Sequence, residues 1–336
     1  MEFRNLMEKL FDREDLEINE MESVMNDMMT GNLSEIRISA LLSALRVKGE
    51  SVSEITACAK VMREKAISIN PDVPFFIDTC GTGGDSSGTF NISTCTAFVV
   101  SGAGVPVAKH GNRSVSSRSG SADVLEKCGV KIDIPPDKVR ECIEKIGIGF
   151  LFAPGFHKAM KYAMPVRRDL GLRTIFNVLG PLANPANAPA QIMGVFDQSL
   201  VNPLAQVLKN IGLERAFVFN GGGLDEIALH TETKTAVLKD GIIREMLITP
   251  EELGFKRVPL ESISGDSPEQ NAEIMKDILS GVKGAYRDIV LMNAAAGLVA
   301  GKAVETLKEG VVLAAESIDS GNAMKKLVEL VGLTND

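Results

Sequence analysis

The chain has 336 residues, of which 45% are hydrophobic and 24% are charged, so it is too rich in apolar residues to be disordered and long enough for a large domain plus a smaller one. Its net charge of -8 argues against a nucleic-acid partner, because neutralising phosphates requires an excess of Lys and Arg on one face. No segment approaches the roughly 18 consecutive apolar residues of a membrane span, so we expect a soluble, cytoplasmic protein without a membrane partner.

The cysteine pattern favours reduced thiols. The five cysteines form no C-x-x-C pair and are too sparse for a disulfide framework. We therefore expect small buried core residues at Cys58, Cys80, Cys95, Cys128 and Cys142.

Residues 1–69 have a helical pattern. Four apolar residues follow the i, i+3, i+4, i+7 spacing of a helix with one buried face, namely Ile38, Leu41, Leu42 and Leu45. The N-terminal part of the chain is therefore predicted to form a small helical unit.

From Pro71 the pattern changes to short β-branched or aromatic runs. The candidate strands are VPFFID, GVPVAKHG, IGIGFLFAP and ERAFVFNGGG, each expected to lead into a loop and then a helix. This alternation predicts a mainly parallel sheet with a ligand site at the carboxyl ends of its strands. Asp240-Gly241, between TAVLK and IIREML, predicts an antiparallel hairpin late in the chain.

Residues 164–190 lose the strand pattern and contain repeated turn signals. We expect this segment to pack on the N-terminal helices. The predicted organisation is a helical domain of residues 1–70, joined by helices from about 164–190, and an α/β domain of residues 71–163 and 191–336.

The first candidate site motif is DTCGTGGD, residues 78–85, which follows the first predicted strand. It matches neither the dinucleotide fingerprint nor the Walker A motif. Asn91, Ser93 and Thr94 follow at the start of an apolar helix, where they could be ordinary helix caps or could bind an anion together with free main-chain N–H groups. The Asp85 carboxylate does not suit a glycine turn that binds only a phosphate, because the two groups carry like charge.

The second motif is KHGNRSVSSRSGSADVLEKCG, residues 109–129, which follows a strand and ends in the predicted helix ADVLEKCG. Lys109, His110, Arg113 and Arg118 lie within ten residues, which predicts a locally positive site for a pyrophosphate. The alternative is a solvated, serine-rich loop.

The third motif is FNGGGLDEIAL, in which Asp225 and Glu226 follow a strand and three glycines. Adjacent carboxylates at the end of a strand suit Mg²⁺, which takes one or two carboxylates and completes its shell with water and phosphate oxygens. The alternative is the acidic start of a helix.

These three motifs, together with FLFAPGFHKAMKYAMPVRRDLGLRTIFNVLGPLANPA at residues 150–186, closely resemble the anthranilate phosphoribosyltransferase family over nearly the whole chain. The resemblance implies a small helical domain and a larger α/β domain with a mainly parallel sheet, of the nucleoside phosphorylase/phosphoribosyltransferase type. It also implies a homodimer joined through the helical domain. The implied reaction transfers the phosphoribosyl group of phosphoribosyl pyrophosphate to the amine of anthranilate, with Mg²⁺ as cofactor, in tryptophan biosynthesis.

The resemblance also implies roles for individual residues. Mg²⁺ would be bound, directly or through water, by Ser93, Asp225 and Glu226. Anthranilate would contact Gly81, Asn112 and Arg167, with His110 close by. Phosphoribosyl pyrophosphate would be bound by Gly81, Gly84, Asp85, Thr89, Asn91, Ile92, Ser93, Thr94, Lys109, His110, Gly111, Asn112, Arg113, Ser114, Val115, Ser116, Ser117 and Ser121.

Three questions remain open from the sequence alone. His110 could act as a general base, although an aromatic amine is already neutral at pH 7 and positioning with electrostatic stabilisation would suffice. Arg167 could instead belong to a surface ion-pair network with Arg168, Asp169 and Arg173. Two alternative functions are a pyrimidine nucleoside phosphorylase and a non-catalytic nucleic-acid-binding relative. A test of magnesium dependence distinguishes the phosphorylase from a phosphoribosyltransferase.

Overall fold

Four helices precede the first strand, as the helical pattern predicts. The computed structural model describes residues 2–114 and 118–336. The first helices are α1 (Phe3–Phe11), α2 (Ile18–Thr30), α3 (Glu35–Lys48) and α4 (Val52–Lys65). Helix α4 begins with a capping box in which Ser51 and Glu54 each accept a hydrogen bond from the other's main-chain N–H. The predicted apolar face of α3 is fully buried, which confirms the helical unit.

A seven-stranded sheet forms the centre of the remaining chain. Its strands are β1 (Ile77–Asp78), β2 (Val107–Gly111), β3 (Ile148–Phe152), β4 (Ala190–Gly194), β5 (Arg215–Asn220), β6 (Thr233–Lys239) and β7 (Ile242–Ile248). The spatial order is β3-β2-β1-β4-β5-β6-β7. The first five strands in this order, β3, β2, β1, β4 and β5, are parallel. The predicted mainly parallel sheet is therefore confirmed.

The late hairpin is also confirmed. Strands β6 and β7 pair antiparallel, and β6 pairs antiparallel with β5. Asp240 and Gly241 have φ values of 53° and 72°, which is the left-handed conformation that a two-residue hairpin turn requires.

Two expectations about strands were wrong. Strand β4 was missing from the candidates, because AQIMG is a short run that is buried along its whole length and so shows no alternation. Strand β5 does not lead into a helix but into a turn and then β6, because Asn220 and the glycines after it reverse the chain.

The other helices cover the sheet and connect its strands. They are α5 (Ile92–Gly102), α6 (Ser121–Lys127), α7 (Pro136–Ile146), α8 (Ala153–Phe156), α9 (Met164–Leu170), α10 (Phe176–Leu182), α11 (Val201–Asn210), α12 (Pro268–Leu279), α13 (Ala285–Ala300), α14 (Leu307–Asp319) and α15 (Asn322–Asn335). Within the described residues, none of the helices combines the length and the apolar composition needed to cross a membrane.

Helices α9 and α10 pack with the N-terminal helices. Val166 and Leu179 belong to the same buried apolar cluster as Leu41, and this cluster continues into Leu204 of α11 and one face of the sheet. The domain limits given by the sequence remain our proposal, because a continuous core joins the helical unit to the sheet.

All five cysteines are free thiols. Cys58, Cys95 and Cys142 are buried as expected, whereas Cys80 and Cys128 are partly exposed. Burial raises the pKa of each thiol, which favours the unreactive protonated form.

Candidate active site

The strand order creates a crevice between β1 and β4. From β1 the chain builds outward to β2 and β3, and it then returns to add β4 on the other side of β1. Loops that follow neighbouring strands diverge at such a switch point, where open α/β sheets bind their ligands. The glycine turn after β1 and the acidic loop after β5 both lie at this edge.

The glycine turn is fixed to the end of β4. Thr82 donates its main-chain N–H to Gly194 O at 2.9 Å, and its hydroxyl accepts from Phe196 N at 3.0 Å. A Cβ on Gly81 would lie 2.9 Å from Gly194 O, so this glycine is required by protein packing. Gly83, with φ of 62°, faces open space and leaves its surroundings free for a ligand.

The acidic loop closes onto this turn. Asp225 Oδ2 accepts from Gly83 N at 2.8 Å, and Asp225 N donates to Asp85 Oδ2 at 3.3 Å. Asp85 therefore faces the predicted metal carboxylates, which explains a carboxylate at the end of the turn better than a contact with phosphate.

Glu226 lies at the N-terminus of α5. Its Oε1 accepts from Ser93 N at 3.0 Å and so satisfies one of the free N–H groups of that helix. Asn91 makes no side-chain capping bond to α5, so its interpretation as an ordinary cap was wrong. No helix begins at Asp225 or Glu226 in the described chain, so the acidic helix start was also wrong.

The carboxylates of this loop repel one another, and the Lys109 ammonium group offsets their charge only in part. Burial and the neighbouring Asp85 raise the pKa of Asp225, and burial and Asp225 raise that of Glu226 well above its usual range. A divalent cation would relieve this repulsion, so the residues fit Mg²⁺. Within residues 2–114 and 118–336, no three His, Cys, Asp or Glu side chains form a group that could bind a metal alone. Mg²⁺ commonly completes its shell with water and substrate phosphate.

Three residues that the sequence analysis missed support the acidic loop. A Cβ on Gly194 would lie 1.5 Å from Asp225 O, so only glycine admits the loop. Asn220 Oδ1 accepts from Gly223 N at 2.9 Å. The buried Asn293 side chain accepts from Ile227 N at 2.9 Å and donates to Ile227 O at 3.0 Å. The pairing of an asparagine with a distant main chain leaves no signal in a single sequence.

Lys109 lies beneath the crevice. Its side chain is only 4% exposed, and Nζ donates to Thr79 Oγ1 at 3.2 Å and to Ser93 Oγ at 3.4 Å. The ammonium group therefore joins the end of β1 to the first turn of α5 and balances the nearby Glu226 carboxylate.

The positive charge predicted for the second motif is largely paired within the protein. Arg113 forms ion pairs with Asp123 at 3.0 Å and with Glu126 at 2.6 Å. Arg118 pairs with Asp266. The predicted local positive charge is therefore reduced, because acidic side chains from α6 and from the loop before α12 pair with both arginines.

The remaining predicted donor-site residues differ in accessibility. Ile92 and Thr94 are almost fully buried, whereas Thr89, Gly111, Ser114 and Ser121 are partly exposed. Ser121 Oγ donates to Asn112 O at 3.2 Å, so the loop closes on the start of α6. Val115, Ser116 and Ser117 lie outside the described residues.

His110 is buried and positioned by hydrogen bonds. Its main-chain N donates to Asp78 Oδ1 at 3.1 Å, and its Nδ1 lies 3.0 Å from Gly180 O. Its ring centroid lies 5.1 Å from that of His157. Burial and His157 lower the pKa of His110 to about 3, and burial lowers the pKa of His157 to about 4 against an opposing hydrogen bond with the Ala183 backbone.

Arg167 is half-buried on α9. Its guanidinium lies 5.1 Å from the Phe176 ring centroid, and burial lowers its pKa. Within the described chain, Arg167, Arg168, Asp169 and Arg173 form no ion pairs with one another, so the proposed surface network is absent. Arg173 instead donates to Gly84 O and stacks over Phe196, with 4.2 Å between the guanidinium carbon and the ring centroid.

The fold and the site define a glycosyltransferase with a helical bundle and an α/β domain. Residues 74–324 match the model described as "Glycosyl transferase family, a/b domain", and residues 4–66 match "Glycosyl transferase family, helical bundle domain". The fold expected from the resemblance is thereby confirmed.

Similar proteins and solved structures show which group of glycosyltransferases this chain resembles. Anthranilate phosphoribosyltransferase of Symbiobacterium thermophilum is 51% identical over 331 residues, which cover 98% of this chain and 97% of that protein. The crystal structure of the Thermus thermophilus enzyme superposes with a TM-score of 0.93 at 44% identity, covering 98% of this chain and 99% of that chain. The Saccharomyces cerevisiae enzyme in complex with PRPP and Mg superposes with a TM-score of 0.90 at 27% identity, covering 99% of this chain and 98% of that chain. The chain belongs to the anthranilate phosphoribosyltransferase family.

The two neutral histidines predict a pH-dependent loss of stability. Their folded pKa values lie below the ordinary value of about 6.5, so the unfolded chain binds protons that the folded chain rejects. The free energy of unfolding should therefore fall as the pH falls below about 6.5, by up to about 1.4 kcal/mol per pH unit for each histidine.

The His157→Asn variant separates this effect from other titrating groups. The Asn amide can replace the imidazole ring as a donor to the Ala183 backbone but does not titrate. Urea unfolding between pH 7.5 and pH 5 should show a smaller loss of stability on acidification in the variant. An identical pH dependence in both proteins would show that His157 is not kept neutral by the fold.

Proposed function

We propose that this protein transfers the phosphoribosyl group of phosphoribosyl pyrophosphate to the amine of anthranilate, releasing pyrophosphate, as a step of tryptophan biosynthesis. The observation that carries the proposal is the meeting of the acidic pair, the glycine turn and the N-terminus of α5 at the sheet's switch point. The positive end of the α5 helix dipole favours the phosphates of the donor, and the carboxylates suit a metal ion and ribose hydroxyls.

The donor would bind in the crevice between β1 and β4. Gly83 and Gly84 present main chain without side chains there, with φ values of 62° and 76°. Asn91 and Ser93 lie at the start of α5, where the helix dipole favours an anion. The described parts of the second motif, residues 111–114 and 118–121, would contact the donor from the other side.

Mg²⁺ would be bound by Asp225 and Glu226, with Ser93 and Asp85 contributing directly or through water. When bound, the ion would neutralise negative charge on the pyrophosphate and so stabilise its departure. The carboxylates fit this role because they already lie close together and repel one another in a partly buried loop.

The transfer forms a bond between the amine nitrogen and the anomeric carbon and breaks the bond from that carbon to pyrophosphate. The electron pair leaves with pyrophosphate, the configuration at the carbon inverts, and the ammonium product loses a proton to solvent. The protein contributes positioning and charge stabilisation of an oxocarbenium-like transition state. His110 is poorly suited as a general base, because its pKa is about 3 and one ring nitrogen contacts Gly180 O.

The acceptor would bind between α9 and the end of β2. Arg167 has a half-buried guanidinium without a carboxylate partner in the described chain, as binding of the anthranilate carboxylate requires. Asn112 and Gly81 would complete this site, and His110 would form part of its wall.

We also propose that the protein is a cytoplasmic homodimer joined through the helical domain. Three exposed apolar side chains support this surface: Phe11 is 70% exposed, Ile36 83% and Val47 75%.

A direct assay tests the function. Anthranilate fluorescence should decrease when the purified protein is mixed with phosphoribosyl pyrophosphate and Mg²⁺, and the loss should require all three. Phosphorolysis of thymidine or uridine without metal dependence would favour a pyrimidine nucleoside phosphorylase instead.

The acidic pair should determine the response to magnesium. Asp225→Asn and Glu226→Gln preserve the acceptors for Gly83 N and Ser93 N but remove the charges, so each should lower turnover at least 10-fold at limiting Mg²⁺. A magnesium titration of initial rates measures the effect. Glu232→Gln, an exposed carboxylate farther along the same loop, is the control. Unchanged magnesium dependence in both site variants would remove this pair from the metal site.

Arg167→Ala should affect only the acceptor. It removes a charge-assisted hydrogen bond of roughly 1.5 to 3 kcal/mol, which corresponds to about 10-fold to 150-fold in affinity. Steady-state kinetics should show a raised KM for anthranilate and a nearly unchanged KM for phosphoribosyl pyrophosphate. Arg168→Ala, the exposed neighbouring arginine, should change neither value. Equal effects of Arg167→Ala on both substrates would assign this residue to the fold.

A further inference from the structure

A chain of amide hydrogen bonds connects α12 to the start of α5. Asn271 Oδ1 accepts from Asp266 N at 3.0 Å, and Asn271 Nδ2 donates to Asn91 Oδ1 at 3.1 Å. Asn91 Nδ2 then donates to Ser119 O at 3.1 Å, and Ser119 Oγ donates to Asn91 Oδ1 at 3.1 Å. Asn271 is 2% exposed and lies outside every motif that the sequence analysis identified.

The two ends of this series of hydrogen bonds fix which atom of each amide donates and which accepts. A main-chain N–H can only donate, so Asp266 N requires the oxygen of Asn271 and turns the Asn271 nitrogen toward Asn91. A main-chain carbonyl can only accept, so Ser119 O requires the nitrogen of Asn91. Both constraints place the Asn91 oxygen toward Asn271 and its nitrogen toward Ser119.

This arrangement leaves Asn91 one unused donor. Its oxygen accepts two hydrogen bonds and its nitrogen donates one, so one N–H of the amide has no partner among the described residues. Asn91 is partly exposed at the N-terminus of α5, beside the crevice. A rotated amide would present its oxygen at the same position and would repel an anion.

The segment before α12 is rigidly attached to the same region. Gly265 N donates to Gly88 O at 2.8 Å, and a Cβ on Gly265 would lie 2.6 Å from Phe90 Cα. Asp266 also pairs with Arg118. Residues 263–271 therefore contact both the segment before α5 and, through Arg118, the loop before α6.

We propose that Asn271 is a positioning residue that fixes the amide orientation of Asn91, so that Asn91 presents an N–H to a phosphate group of the donor. The inference deepens the proposed function and rests on it for the identity of the donor. Asn271 acts through Asn91 and does not itself touch the ligand.

The Asn271→Asp variant tests the orientation directly. An ionised aspartate at position 271 can still accept from Asp266 N but cannot donate to Asn91, so the Asn91 amide should rotate and present its oxygen to the crevice. We expect the Kd for inorganic pyrophosphate, measured by calorimetry, to rise about 10-fold or more. Asn271→Ala only removes the constraint and should raise this Kd by a smaller factor.

Matched measurements separate positioning from a general loss of structure. Gln270→Glu makes the same amide-to-carboxylate change at the exposed neighbouring position of α12 and should bind pyrophosphate like the parent protein. The KM for phosphoribosyl pyrophosphate should rise in both Asn271 variants, whereas the KM for anthranilate should stay unchanged. Unchanged pyrophosphate binding in folded Asn271→Asp, or equal changes in both KM values, would overturn the proposal.

A measurement on the parent protein covers the case in which neither Asn271 variant folds. Pyrophosphate bound to Asn91 should slow amide hydrogen exchange in residues 263–271, because the bound amide stabilises its partner Asn271. Unchanged exchange there with pyrophosphate bound would contradict the proposal. Calorimetry and hydrogen exchange do not depend on turnover, so a parent protein that binds pyrophosphate but fails the fluorescence assay would contradict the proposed function alone.

Discussion

The close approach of the Asp225 main chain to Gly194 is the constraint on which the site depends. A Cβ on Gly194 would lie 1.5 Å from Asp225 O, so the acidic loop reaches the crevice only because β4 ends in glycine. This approach allows Asp225 to accept from Gly83 N and Glu226 to accept from Ser93 N. The loops that follow β1 and β5 are thereby brought together with the end of β4 at one edge of the sheet.

The electrostatics of the site follow from this geometry. The carboxylates of Asp225 and Glu226 are crowded and partly desolvated, while Arg113 and Arg118 are paired with other side chains. Recognition of an anion would therefore depend on main-chain and amide N–H groups and on a metal ion, with less contribution from free arginines than the sequence suggests. The orientation of a single amide such as Asn91 then becomes important, because it decides whether a donor or an acceptor faces the phosphate.

Periodic features were predictable from the sequence, whereas long-range contacts were not. The spacing of Leu41 and its neighbours identified a buried helix face, and Asp240-Gly241 identified the hairpin, because both signals are local. Gly194 resembles any other glycine in the sequence, since its constraint comes from a loop after another strand. Asn271 gave no signal, because its importance depends on contacts with Asn91 and Asp266 that only the fold creates.

The segment that contains α9 and α10 connects the two proposed substrate sites. Arg167, on α9, faces the proposed acceptor site, while Arg173, just after that helix, donates to Gly84 O of the glycine turn. Gly180, within α10, contacts the His110 ring at the end of β2. A displacement of this segment would therefore alter the acceptor contact and the donor turn together. The reaction requires both substrates to be aligned at one carbon atom. Contacts from a single segment to both proposed sites fix the position of one site relative to the other and so maintain that alignment.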